Sequence, residues 1–255
     1  MTVEIHGKCD PRFEPVKDII ASSIEAGDDV GVSFAVTLEG EPVVDLYAGY
    51  LDAEKSRPWQ EDTIVNVYST TKTMSFLCAL VLNDRGQLDF DENVARYWPE
   101  FAQGGKENVK VWHLMDHAAG LSGLDVPVSL EDLYDWDKIV GLLAAQKPWW
   151  EPGTQTGYHA ITQGFLIGEV VRRVSGKSIG RFFQDEVAMP LGADFFIGVP
   201  ESEFGRIGNL IPPPNVAPAS GDGAPDSISA RTFANPSTLA TDSWTPGWRK
   251  AEIPA

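Results

Sequence analysis

Apolar positions first recur with helical spacing at Val16, Ile19, Ile20 and Ile24, in a stretch from Phe13 to Ala26 closed by Gly27 and two aspartates. The spacing gathers the four on one helix face, and a glycine just past the last turn is a common stop. Val32 to Leu38 and Pro42 to Tyr47 are short β-prone runs joined by Glu39-Gly40-Glu41, which predicts an antiparallel hairpin with glycine in its turn. From Thr70 to Arg85 nearly every face is apolar until Gly86, and a helix of that kind is expected to be buried on all sides at the centre of the fold. Further helices are predicted over Lys110 to Asp116, Leu130 to Gln146, Ala160 to Val174 and Ile179 to Val187, with Gly176 and Pro190 as stops. Beyond Pro200 the periodicity dissolves. Ile211 to Pro246 is rich in Pro, Ser, Gly and Ala and is expected to be a long surface loop.

One helix and two strands followed by a run of helices describe an α+β fold, since alternating βαβ units are missing. Two strands alone make a poor sheet, which points to strands the pattern does not reveal. Three segments follow from this order: 1–68 with the first helix and the hairpin, 69–199 as a helical lobe, and 200–255 as a long connecting loop.

Composition narrows the function. With 255 residues, 43% of them hydrophobic, the chain can bury a substantial core. A formal net charge of −17 argues against nucleic acid and acidic membrane surfaces as partners, because both require clustered Lys and Arg. The longest apolar run, Phe76 to Leu82, is far below the roughly 20 residues of a membrane helix. Met1 to Asp10 carries charges and no apolar stretch, so no secretion signal is expected. Cys9 and Cys78, the only cysteines, do not suggest a disulfide framework, and a reducing cytoplasm is the expected location.

Chemistry is expected at Ser69-Thr70-Thr71-Lys72. A lysine three residues after a serine lies one helical turn away on the same face, so Nζ can reach Oγ. A serine hydroxyl is a weak nucleophile until a neighbouring base removes its proton, and a lysine serves as that base only when desolvation leaves it neutral. The helix N-terminus adds unpaired N–H groups near a developing oxyanion. Spacing alone leaves open the alternative of an ordinary serine N-cap followed by a surface lysine.

Several segments in series carry a resemblance. Val67-Tyr68-Ser69-Thr70-Thr71-Lys72-Thr73, Gly86 to Val94, Tyr97-Trp98-Pro99-Glu100-Phe101, His113 to Leu121, Glu151-Pro152-Gly153-Thr154 with Tyr158, and Met189-Pro190-Leu191-Gly192 together resemble the class C β-lactamase and family VIII carboxylesterase type of serine hydrolase, over about Val32 to Gly198. The resemblance implies a serine β-lactamase/penicillin-binding-protein-like fold, with an antiparallel sheet flanked by helices, a helical lobe, and a sheet left incomplete in this chain. It implies Ser69 as nucleophile, with Lys72 and Tyr158 handling its proton. The family's usual Tyr-x-Asn is here Tyr158-His159-Ala160; the loss of an amide-orienting asparagine favours esters over β-lactams. Its third motif, K-T-G, H-x-G or a tryptophan-glycine pair, is not found after Tyr158, and a separate C-terminal polypeptide is expected to complete the sheet and the oxyanion hole.

Around that site, Trp149 and Trp150 are candidate walls of an acyl pocket, and His159 is a candidate substrate contact that follows the tyrosine too directly for its ring to converge on the same point. His113 and His117 are four apart, but Leu114 stands where a zinc H-E-x-x-H motif needs Glu, so they are expected to be structural. Asp89 to Glu100 imitates a calcium loop but has Val94 where the sharp turn needs glycine. Ser122, in Gly120-Leu121-Ser122-Gly123, is a second candidate nucleophile without the strand-to-helix context an elbow requires. No metal or organic cofactor is expected. The expected activity is hydrolysis of short-chain carboxylic esters through an acyl-enzyme. The alternatives are a β-lactamase, a D-amino-acid peptidase or an acyltransferase of the same fold, and a non-catalytic fragment subunit that needs a partner chain.

Overall fold

The computed structural model describes residues 3–211, 224 and 227–236, and it divides into two compact units. In the first, residues 3–66 with 200–211, a three-stranded antiparallel sheet has the order β1 (Ile5–Cys9), β3 (Glu41–Gly49), β2 (Gly31–Leu38). The hairpin turn holds Glu39 and Gly40 both at positive φ, 54° and 86°, the geometry whose twist matches that of paired strands. β1 is the strand the sequence pattern does not reveal: Ile5 pairs with Ala48 and Cys9 with Val44, so Cys9 sits in the sheet and not on a loose terminus.

α1 (Pro15–Ala26) lies on this sheet. Proline at its first turn has no N–H to leave unsatisfied, and Gly27 ends it at φ 81° with its N–H on Ile24 and Ser23 carbonyls. Ile20 and Ile24 are buried against Val44, Leu46 and Ala48. Ile19 is exposed, so the buried stripe is narrower than the apolar pattern.

The second unit, residues 67–199 with 224 and 227–236, is helical. Its elements are α2 (Thr71–Asp84), α3 (Val94–Tyr97), α4 (Val111–Met115), α5 (Trp136–Ala145), α6 (Thr162–Ser175), α7 (Ile179–Phe183), α8 (Met189–Leu191) and α9 (Ile228–Phe233). The helix expected over Leu130 to Gln146 is broken at Asp135, whose carboxylate caps the start of α5 by accepting from Lys138 N–H at 3.0 Å. The one expected over Ile179 to Val187 becomes a wider-turned π segment from Gln184. The expected loop from Ile211 to Pro246 lies largely outside the described residues, but within it α9 is a helix capped by Ser227.

The central helix is α6, and α2 is not buried on all sides. Ten consecutive residues of α6, Thr162 to Val171, are buried, whereas Leu80 of α2 is exposed. Most polar groups inside α6 have partners, although the side-chain oxygen of Gln163 does not. Glu169 accepts from Trp136 Nε1 at 2.8 Å, from Arg172 Nε and Nη2 at 2.7 and 2.8 Å, and from Arg173 Nε at 2.7 Å. Lys106 is also fully buried, and its ammonium donates to the carbonyls of Gln103, Ala144 and Gln146. It thereby neutralises the unpaired carbonyl end of α5.

Burial raises the pKa of Glu169, but hydrogen bonds from Arg172, Trp136 and Arg173 outweigh it, and the net shift is downward from 4.5. Its ionic bonds therefore add stability that is complete above pH 4.5 and is lost as pH falls through the lower folded value. Glu169→Gln is expected to destabilise the protein by about 2 kcal/mol at pH 7, less than for a fully buried pair because both arginines reach solvent. Urea unfolding of the two proteins is expected to show that gap narrowing below pH 4.5; a gap independent of pH would refute the ionic account.

Candidate active site

The turn before α2 sets the first group. Tyr68 holds φ at 45°, a left-handed conformation that a bulky residue adopts only under constraint. Tyr68–Thr70 forms a tight 3-10 turn that runs directly into α2, placing Ser69 at the helix entry with its side chain open to solvent. Lys72, one turn on, is only 7% exposed. Its Nζ lies 3.2 Å from Ser69 Oγ and 2.8 Å from the carbonyl of Ala160.

The second contribution comes from the loop leading into α6. Tyr158 Oη donates to Ser69 Oγ at 2.6 Å, its ring lies 5.1 Å from the Lys72 ammonium, and the residue is 46% exposed. Ser69, Lys72 and Tyr158, expected together, are brought together. The Ala160 carbonyl was not foreseen, since a backbone atom leaves no mark in a side-chain motif.

Burial lowers the Lys72 pKa from 10.5 to about 8. A buried amine held by a hydroxyl and a carbonyl gains nothing from an opposite charge, so its proton leaves easily. Near neutral pH a useful fraction is the free base. In that state one N–H can remain on the Ala160 carbonyl while the lone pair faces the Ser69 hydroxyl, and the Tyr158 hydroxyl donates to the same oxygen.

The loop is built from backbone bonds and two histidines. His159 is fully buried; its Nδ1 lies 2.6 Å from the Gly157 carbonyl and its Nε2 accepts from Leu121 N–H at 3.2 Å. The carbonyl fixes the proton on Nδ1, and desolvation lowers the ring's pKa to about 4. Both nitrogens are committed to the backbone, so the ring has no polar atom to offer as the substrate contact expected from sequence. Thr162 Oγ1 donates to the Leu121 carbonyl at 2.6 Å, and Trp149 N–H to that of Gly120 at 2.7 Å. Gly120, at φ 76°, has no room for a side chain: a Cβ there would stand 2.8 Å from the Trp150 carbonyl.

Trp150 is buried and packs edge-on to His159 at 6.0 Å, with Gly157 pressed against its ring. Trp149 is half-buried: its Nε1 donates to Asp125 at 2.8 Å, and Arg231 of α9 lies over its ring at 3.8 Å while donating to the same carboxylate at 3.0 Å. Ser122 is buried and accepts from Thr232 Oγ1 at 2.9 Å, which anchors α9 and removes Ser122 as a nucleophile. His113 accepts from Lys110 N–H at 3.1 Å. No group of metal-ligating side chains occurs among the described residues.

Residues 16–242 match the Beta-lactamase family model. The chain is 37% identical over 215 residues to the Esterase/beta-lactamase LipL of Mycobacterium tuberculosis, covering 84% of this chain and 50% of that protein. It is 31% identical to Esterase EstB of Burkholderia gladioli, covering 64% of this chain and 45% of that one. Among solved structures, a family VIII carboxylesterase matches with a TM-score of 0.86 at 44% identity. A penicillin-binding protein homolog from Caulobacter crescentus matches with 0.88 at 37%. Each match covers 98% of this chain and 66% of the other. The chain thus spans about half the length of these curated relatives and two thirds of the solved structures.

The lysine supplies a test. The reactivity of Ser69 toward an organophosphorus electrophile is expected to rise about tenfold per pH unit and to level off above the Lys72 pKa of about 8. Lys72→Met is expected to abolish that rise, as read by mass spectrometry of the modified serine against pH.

Proposed function

The chain belongs to the beta-lactamase family, and from that premise we propose that it is a serine hydrolase that cleaves short-chain carboxylic esters through an acyl-enzyme on Ser69. The observation that carries the reading is the position of Ser69 Oγ, 2.6 Å from Tyr158 Oη and 3.2 Å from Lys72 Nζ. Neutral Lys72 takes the Ser69 proton as Oγ attacks the ester carbonyl. The tetrahedral intermediate collapses when the departing alcohol is protonated; Tyr158, the more exposed partner, is placed to deliver that proton, and the Lys72 ammonium, 5.1 Å from its ring, returns one to the phenolate while Ser69 carries the acyl group. Water then attacks the acyl carbon, its proton passing by way of Tyr158 to neutral Lys72, which returns a proton to Ser69 Oγ as that oxygen leaves and the carboxylic acid is released.

An ester is preferred to an amide on one sequence difference. Position 160 is alanine, and its contribution is the backbone carbonyl that binds Lys72, so no side-chain amide is available there to orient a substrate amide. The names of the relatives, an esterase/beta-lactamase and an esterase, support the same class. The two free thiols, Cys9 and Cys78, fit a reducing cytoplasm, and among the described residues no helix is long and apolar enough to cross a membrane. On this reading a separate C-terminal polypeptide supplies a further strand and the second oxyanion donor. In support, the edge strand β2 leaves Phe34 and Leu38 exposed. Full turnover of p-nitrophenyl butyrate by the chain alone, as a monomer by light scattering, would remove the need for that polypeptide.

A fluorophosphonate probe is expected to add its mass to the peptide containing Ser69, and Ser69→Ala to abolish the label. Turnover of p-nitrophenyl butyrate is expected to exceed that of nitrocefin, and Ser69→Ala to lower it by about a thousandfold or more. Label on any other residue, or unchanged labelling of the alanine variant, defeats the assignment.

A further inference from the structure

We propose that His117 is a positioning residue that clamps Tyr158 in its reactive place, by holding the residues on both sides of it and packing against its ring. The inference rests on the reading of Tyr158 as the proton relay and adds a residue with no direct contact to Ser69.

Three contacts converge on Tyr158 from one residue. The Gly157 N–H donates to the His117 carbonyl at 3.1 Å. The His159 N–H donates to His117 Nδ1 at 3.0 Å. Between them the His117 and Tyr158 rings lie 4.9 Å apart at 55°. A residue fixed at both neighbours and along its ring has little freedom left, which matters here because Tyr158 is 46% exposed and would otherwise sample other rotamers.

The backbone is shaped for this task. His117 sits at φ 66°, a conformation that costs most non-glycine residues about 1 kcal/mol or more and is retained where the surroundings enforce it. That conformation turns the carbonyl and the ring of His117 toward the same loop. Acceptance at Nδ1 requires the neutral ring with its proton on Nε2. Desolvation and the nearby Lys72 charge both lower the His117 pKa, with Asp116 opposing them, so the neutral form is the one present with His159 and Tyr158 alongside.

Asparagine can test the clamp, because its side-chain oxygen can occupy the place of Nδ1 and it tolerates positive φ. Glycine accepts the same φ but has no acceptor, and alanine lacks both advantages. Amide exchange at His159, followed by NMR, reads the clamp without reference to catalysis. It is expected to quicken on the order of tenfold in His117→Gly and His117→Ala, the scale of one lost hydrogen bond, and to stay near the wild-type rate in His117→Asn. Fluorophosphonate labelling of Ser69 and kcat for p-nitrophenyl butyrate are expected to fall by a similar factor in the glycine and alanine variants with KM unchanged, and to recover in asparagine.

Unchanged exchange at His159 in the glycine variant overturns the clamp, and the glycine and asparagine forms decide the matter if the alanine form fails to fold. Fast exchange with unaltered labelling shows the loop held for no catalytic purpose and also overturns the proposal. Wild-type label at a residue other than Ser69 overturns the catalytic reading and this inference with it, a result the exchange data cannot imitate.

Discussion

The proposed catalytic arrangement depends on an ammonium group placed where no charge answers it. Lys72 has a hydroxyl and a backbone carbonyl for partners, and burial takes its pKa down to about 8. A carboxylate in the place of the Ala160 carbonyl would hold the proton on and leave Ser69 an ordinary alcohol. In a chain with 37 acidic residues, the design consists as much in what is kept away from Nζ as in what is brought to it. Lys106, buried and held by three carbonyls, is also lowered to about 8, but no hydroxyl shares its cage, and its effect is to close the end of a helix. The same physics thus serves structure in one place and chemistry in another, and the neighbouring serine decides which.

Holding that geometry falls to the segment that leads into α6. Because Thr162 to Val171 are buried, the loop just before them is anchored to the most deeply packed part of the unit, and Ala160 and Tyr158 inherit its rigidity. His159 fastens the loop to Leu121 and to its own Gly157. Thr162 adds a bond to Leu121, and Trp149 ties its strand of chain to Gly120. Gly120 and Gly157 lie where a side chain would collide with Trp150 or its carbonyl, so the close approach of these two loops depends on small residues. α9 covers the outer side, with Thr232 on Ser122 and Asn235 on the carbonyls of Leu124 and Val126.

What could be read from sequence is what periodicity and spacing encode. The first helix, the hairpin, the turn at Ser69 and the serine-lysine pair are local patterns, and each is found where the pattern put it. β1 was missed because Ile5-His6-Gly7-Lys8-Cys9 has one apolar residue at each end, and it becomes a strand only by pairing with β3. The burial of α2 was overestimated because apolar content does not say which face a partner covers, whereas α6, with Gln163 at its start and Glu169 in its middle, reads as half-polar yet lies at the centre. α9 was hidden in a stretch dominated by Pro, Ser and Gly. The roles of His117 and the Ala160 carbonyl were illegible for one reason: both act through the backbone or through contact with it, and a residue pattern records side-chain types alone.

The electrostatic setting of the site follows from these placements. His117 and His159 lie within ring-contact distance of each other, 5.5 Å between centroids, and the Lys72 charge lowers the pKa of both, after desolvation. A proton on either ring would break a bond to the loop, since His117 Nδ1 and His159 Nε2 each accept from a backbone N–H. Lys72 and the histidines therefore act on one another in a consistent direction: the cation keeps the rings neutral, and the neutral rings keep the loop that brings the Ala160 carbonyl and the Tyr158 hydroxyl to the cation. The lysine's own proton equilibrium lies at about 8. The neutral imidazoles are in this way part of the condition for a removable proton on Lys72, although neither ring forms a hydrogen bond to the amine or to Ser69 Oγ.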